Sequence, residues 1–194
     1  MVFIWVLLIA VLAIVAWVIS TYNFFVSSKA RIKASIQEIG NQLKRQADLI
    51  PNLVDSTKGY LKHEKDIFVK LTEARKSINQ AIESGNLQKM ADAGTKLSAI
   101  LPDIKVIVES NPEIKGSEVV SKLMDELRDT SDKIMYARRL LIDLSADFNV
   151  KRATFPSNLV ANLFGFTEMQ GLKTPEGKME VDESEMTTPK IDLE

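Results

Sequence analysis

The segment Val2–Ile19 reads VFIWVLLIAVLAIVAWVI, eighteen consecutive apolar residues, and the first charged side chain is Lys29. At about 1.5 Å of rise per residue, a hydrocarbon core of about 30 Å takes about 20 residues in a helix. The uncharged Ser20, Thr21, Tyr22 and Asn23 and the apolar Phe24, Phe25 and Val26 supply the remaining length. The pattern therefore predicts one transmembrane helix over at least Val2 to Ile19. Trp5 lies near one end and Trp17 and Tyr22 near the other, where amphipathic rings prefer the headgroup boundary. A cleaved signal peptide is the rival reading. The run is long for an h-region of about 7–15 residues, it lacks a basic leading segment, and no small-x-small site follows it.

From Lys29 to about Thr154 the apolar positions keep a helical period. Ile32, Ile36, Ile39, Leu43 and Ala47 fall on one face. Nothing between the span and this stretch breaks a helix, so the two are expected to form one rod. Pro51 predicts a turn near Asp48–Pro51, because proline disfavours helix at the residue before it. A second helix is expected from about Asn52 to Glu83, with Leu53, Tyr60, Ile67, Leu71, Ala74 and Ile78 on its apolar face. Gly85 and Asn86 supply a left-handed stop and an N-cap. A third helix follows over Leu87 to about Glu109, with Pro102 expected to kink or split it. Ser117 should cap a fourth, carrying Val120, Leu127, Ile134, Leu141, Leu144 and Phe148. No strand-like alternation is evident. The expected fold is all-α: an N-terminal transmembrane helix continuing into an antiparallel four-helix bundle with long helices. The boundaries are residues 1–28 for the span and juxtamembrane segment, 29–167 for the bundle, and 168–194 for a tail expected to be disordered.

The stretch from Phe155 to Phe166 stands apart. Ser157 or Asn158 should cap a short helix that Gly165 ends, and Phe155, Leu159, Leu163, Phe164 and Phe166 are apolar. Four antiparallel helices alternate in direction, so this segment returns towards the bilayer surface. Two readings stay open for it: a cap on the open end of the bundle, or a contact with the membrane or another protomer.

Charge fixes the expected topology. Lys29, Arg31 and Lys33 follow the span, then Lys44 and Arg45, so the positive-inside rule puts the bundle in the cytoplasm and the N-terminus outside. The first three are also close enough to meet anionic lipid headgroups. From Glu168 to Glu194 eight acids face three lysines, a balance of −5; the chain's total of −1 leaves +4 on the first 167 residues. That balance implies no nucleic-acid partner. The absence of cysteine excludes disulfides, thiolate metal sites and thiol nucleophiles.

His63-Glu64 invites comparison with a zinc protease. That chemistry needs H-E-x-x-H so that two histidines reach one ion; here the fifth position is Ile67 and the chain has one histidine. No metal, cofactor or catalytic residue is therefore expected, and the chain is not expected to be an enzyme. Tyr60, His63, Glu64 and Arg75 on helix two, with Arg138 and Arg139 on helix four, suggest instead a polar layer fixing register or a protomer contact. A solvated face is the plainer alternative.

Several separated segments resemble the LemA family: Leu49-Ile-Pro-Asn-Leu-Val54, Lys58-Gly-Tyr60, His63-Glu64, Thr72-Glu-Ala-Arg75, Asn111-Pro-Glu-Ile-Lys115, Ala137-Arg138-Arg139, Phe148-Asn149, Phe155-Pro-Ser-Asn-Leu159 and Leu163-Phe-Gly-Phe166. The resemblance covers about residues 1–167 and leaves the acidic tail unaccounted for. Val150-Lys-Arg-Ala departs from the family's more usual continuation without touching anything central. The resemblance implies a bacterial or archaeal membrane protein with an N-terminal span and a helical bundle, from a family linked to membrane stress with one branch associated with intracellular membrane compartments. The expected location is a bacterial cytoplasmic (inner) membrane, as a single-pass protein. Two functions follow as expectations. One is a homo-oligomer that assembles on membrane lipids and organises or remodels the membrane. The other is an adaptor or regulator of another membrane protein, such as a quality-control protease, with the acidic tail as recognition element.

Overall fold

Val2–Thr57 forms one helix, α1, of 56 residues, so span and bundle share a backbone without a break. This is seen in a computed structural model that describes residues 1–58 and 65–172. At about 1.5 Å per residue α1 is about 84 Å long. The other helices are α2 (Lys65–Ser84), α3 (Leu87–Ser110), the single turn α4 (Pro112–Lys115), α5 (Glu118–Ala153) and the short α6 (Ser157–Leu163). Among the described residues no strand occurs. α1, α2, α3 and α5 alternate in direction as an antiparallel four-helix bundle, α1 packing on α5, α2 and α3, and α2 on α3.

The turn expected at Asp48–Pro51 does not form. α1 runs through Pro51 to Thr57, and the second helix starts at Lys65 rather than near Asn52. Proline inside a helix costs roughly 3 kcal/mol through its missing N–H and the clash of its ring with the preceding turn. Ile50 and Leu53 flank it on the buried stripe at 2% and 1% exposure. Burial at about 1.5–3 kcal/mol for each of those side chains is enough to carry the helix across. Pro51→Ala restores a donor to the Ala47 carbonyl and is expected to raise the unfolding free energy of the full chain in detergent by on the order of 1 kcal/mol. A fall instead would show that proline's restriction of the unfolded chain, worth about 0.4–1 kcal/mol, dominates at this site.

The other punctuation follows the residues. Gly85 takes φ +60° at the end of α2, and Gly165 takes φ +69° after α6, where a side chain would be strained. Asn86 accepts from the Lys89 N–H at 3.0 Å, and Ser117 from the Val120 N–H at 3.4 Å. Pro102 neither splits nor ends α3. The start of α6 departs from expectation: its N-cap is Pro156, without a side-chain bond. The Ser157 hydroxyl lies 2.6 Å from the Lys151 carbonyl and 2.9 Å from that of Thr154, donating back to the end of α5.

α1 and α5 form the spine. Thr21, Phe25, Ser28, Ile32, Ser35, Ile39, Leu43, Gln46, Ile50, Leu53 and Thr57, with Ala47 beside them, are buried along α1, at spacings of three and four that alternate as in a coiled-coil seam except for two successive fours from Ser35 to Leu43. Against them α5 sets Val120, Leu127, Thr130, Ile134, Ala137, Leu141, Leu144 and Phe148. Gln46, with no exposed surface, crosses the seam to donate to the Ser131 hydroxyl at 2.8 Å. Its Oε1 has no hydrogen-bond partner among the described residues.

The α2–α3 hairpin does not reach back to the membrane end. Met90 approaches α1 at Gly40, where an added Cβ would lie 3.3 Å from its Cε. Between Ile19 and Gly40, about 31 Å of helix, α1 is covered by α5, α6 and the chain after it. Phe166, Met169 and Leu172 pack on the core there. Packed structure thus continues past the expected boundary at 167. Asn149 holds the chain after α6 in place, accepting from the Met169 N–H and donating to its carbonyl, both at 2.9 Å. The rest of the acidic tail, 173–194, lies outside the described residues.

Candidate functional site

Aromatic residues gather where the span meets the bundle. Phe25, fully buried on α1, stacks on Phe166 with ring centroids 4.8 Å apart and meets Phe148 of α5 edge-on at 5.2 Å. Tyr22, one turn nearer the span, meets Phe164 edge-on at 4.8 Å and Phe166 at 5.7 Å. Offset and edge-to-face pairs of this kind contribute about 0.5–1.5 kcal/mol each beyond their burial. They seat α6 and its flanks directly against the root of the membrane helix. At the other end of α6, Phe155 and Pro156 line a recess together with Trp17 and Phe24. The α5–α6 corner therefore lies level with the last turn of the apolar run.

Both readings of the Phe155–Phe166 segment find their residues here. Ser157, Val160 and Ala161 face inward at 5%, 3% and 0% exposure, and Phe166 fills the core, so one side caps the bundle. Phe155, Leu159, Leu163 and Phe164 face outward at 75%, 58%, 77% and 49%.

Cations ring the junction. Lys29, Arg31 and Lys33 are exposed on α1 just past the span. The last turn of α5 adds Lys151 and Arg152, favourable neighbours for a helix C-terminus. The Lys151 ammonium sits 5.2 Å from the centroid of the Phe24 ring, and Arg152 pairs with Glu168 at 3.6 Å. Val2, Trp5, Trp17 and Ile19 lie on the uncovered part of α1; none of the most apolar stretch is buried in the chain.

The residues of the expected polar layer are not gathered within the described structure. Tyr60, His63 and Glu64 lie outside the described residues. Arg75 is exposed on α2, and Arg139 is exposed on α5. Arg138 is half-buried and donates to the Thr95 hydroxyl of α3 at 2.8 Å. That bond ties α3 to α5 beside a groove between them of about 810 Å³, lined by Leu101, Pro102, Ile114, Met124 and Met135. Leu101 and Met124 pack on the core only in part and leave the rest of their surface to the groove.

Two comparisons bear on identity. Over 190 residues the chain is 24% identical to a magnetosome protein, MamQ, of Magnetospirillum gryphiswaldense, a match covering 84% of this chain and 70% of that protein. The LemA family model matches residues 35–191. It begins after the span and takes in most of the acidic tail, which corrects the expectation that the likeness stops near residue 167. With the match spanning most of the chain, and an uncovered apolar helix ahead of it, the protein is membrane-associated and belongs to the LemA family.

Proposed function

We propose that the chain is a non-enzymatic scaffold, anchored in a bacterial cytoplasmic membrane, whose cytoplasmic bundle self-assembles and organises or remodels the bilayer. The observation that carries this reading is the continuity of α1 from Val2 to Thr57. A flexible linker would leave a bundle free to turn above the surface. A helix shared by span and bundle instead passes any tilt imposed by bundle–bundle contact directly to the lipid. The exposed Lys29, Arg31 and Lys33 support the cytoplasmic placement, and the likeness to a magnetosome protein supports a membrane-organising role. The partners under this reading are lipids and further copies of the chain.

The size of the purified full chain in mild detergent tests the proposal. A large, uniform particle is expected, and a monomer at every concentration would sink it. The open α3–α5 groove favours a second reading, an adaptor or regulator of another membrane protein. Under that reading the pure chain stays monomeric, and deleting residues 168–194 removes partner binding if the tail is the recognition element.

A further inference from the structure

The two longest stretches without a charged side chain are residues 1–28 and 153–167. The fold places them side by side. The first is the span; the second holds α6, whose outward Leu159 and Leu163, with Phe155 before the helix, are left exposed among the described residues. Leu159 and Leu163, four residues apart, share one face of α6, and the exposed Phe155 and Phe164 flank the helix at its two ends. The opposite stripe, Ser157, Val160 and Ala161, is already buried on the bundle. The helix reads SNLVANL, with Asn162 exposed beside Leu159 and Leu163, a mixed face that suits a headgroup boundary.

We propose that α6 is a lipid-docking helix, its Leu159–Leu163 face, flanked by Phe155 and Phe164, entering the headgroup boundary of the leaflet from which α1 emerges. The inference rests on α1 crossing the bilayer, and deepens the scaffold reading by giving each copy a second point of contact with the membrane. Depth selects lipid as the occupant. Phe155 shares a recess with Trp17, and Phe164 touches Tyr22. Those two α1 residues are five apart, about 7.5 Å of helix, and they straddle Ile19, where the apolar run ends. Interfacial helices sit about 5–10 Å into this same boundary. Lys151 and Arg152 stand at the end of α5 next to α6, and Lys29 on α1 lies two turns beyond Tyr22, placed for headgroup phosphates. Two contacts at different points on one surface fix the bundle's rotation about α1 as well as its height.

The chain has no cysteine, so single labels are unambiguous. An environment-sensitive fluorophore is placed at Leu163→Cys, at Val11→Cys within the span, and at Val106→Cys, which is 65% exposed on α3. Each full-length variant is reconstituted into phosphatidylglycerol-containing vesicles and quenched either by headgroup-proximal lipid nitroxides or by iodide in the water. The expected result is lipid-nitroxide quenching several-fold stronger at position 163 than at 106, with protection from iodide. Equal iodide access at 163 and 106 overturns the proposal. Protection from iodide without lipid quenching also overturns it, and identifies a second protein copy as the occupant. Iodide access at position 11 equal to that at 106 would show that the span itself is not inserted, which is the failure of the underlying reading rather than of the docking helix. Particle size, measured separately, decides self-assembly whichever way the label at 163 reports.

Discussion

Phe25→Ala is expected to lower the unfolding free energy of the full chain by about 3–5 kcal/mol, the cost of emptying a phenylalanine site in a packed core. Phe25 has no exposed surface, and its ring meets those of Phe24, Phe148 and Phe166 at centroid distances of 5.7, 5.2 and 4.8 Å. Truncation therefore removes the burial, three ring contacts and the packing that holds the chain after α6. Collapse cannot refill the site easily, because α1 and α5 are continuous helices whose spacing is set by the seam above. Phe25→Leu, which keeps most of the volume, should cost much less. Phe3→Ala, at a ring 78% exposed on the span, should leave the bundle's unfolding unchanged. Denaturant unfolding in detergent, followed by far-ultraviolet circular dichroism, gives all three. A cost below about 1 kcal/mol for Phe25→Ala, the scale of an ordinary surface change, would mean that the junction opens independently of the bundle.

The loss should also be read at α6. Phe166 stacks on Phe25, and Phe164 follows through Tyr22, so the helix loses its seat when the ring goes. The Asn149–Met169 bonds and the Tyr22 contacts remain to hold it in part. Phe25→Ala should accordingly raise protease cutting between Gly165 and Leu172 well before the four long helices melt.

The all-helical fold was legible because the apolar period is strong on every long helix and the stops are chemically distinct. Asn86 and Ser117 could be named as caps from their side-chain oxygens, and Gly85 and Gly165 as stops from the left-handed backbone they adopt. Pro51 misled because its local cost is visible in sequence whereas the burial that outweighs it is tertiary. The lower half of the α1 stripe was illegible for a different reason. Thr21, Ser28 and Ser35 are buried at 4%, 6% and 5%, yet they read as polar surface. Their spacing of seven, interleaved with Phe25, Ile32 and Ile39, was the available signal: small hydroxyl residues let α5 approach closely. Ser35, for example, returns its hydroxyl to the Arg31 carbonyl at 3.1 Å, so burial leaves no donor stranded. Gln46 was missed likewise, since only the distant Ser131 reveals its role.

At the candidate site, the pattern singles out the outward residues of α6, but helix parity alone leaves cap and contact as alternatives. Contacts between residues far apart in sequence give one side of the segment to the bundle and leave the other exposed among the described residues. Phe25, Phe148 and Tyr22 had been assigned to other elements, so nothing in the pattern joined them to Phe166. Parity depended only on the number of long helices, which is why it survived the misplaced first turn.

Breaking α1 between span and bundle should uncouple them, and Ser27→Pro is the substitution that does so with least damage to packing. Ser27 is exposed, and its hydroxyl returns to the Phe24 carbonyl at 3.0 Å. Proline there removes the N–H that serves the Asn23 carbonyl and drives its ring into the preceding turn, at a cost of about 3 kcal/mol or more. Pro51 survives within α1 because Ile50 and Leu53 are buried beside it. At position 27 the buried residue on the bundle side is the small Ser28, and the span side is braced by Thr21, Tyr22, Phe24 and Phe25 alone of its last turns. Less burial opposes the strain, so it is expected to emerge as a kink. Spin labels at Val11→Cys and Gln37→Cys report it. The two positions are 26 residues apart on one helix, about 39 Å along its axis. A narrow distance distribution is expected for the parent in vesicles, with a shorter and broader one for Ser27→Pro; Ser27→Ala should match the parent. A broad distribution in the parent would remove the rigid rod, and with it the route by which contact between bundles is proposed to tilt the span. If the rod is rigid and Ser27→Pro kinks it while leaving detergent particle size intact, assembly resides in the bundle. Loss of ordered assembly on vesicles alone would then assign the effect on the bilayer to the unbroken helix.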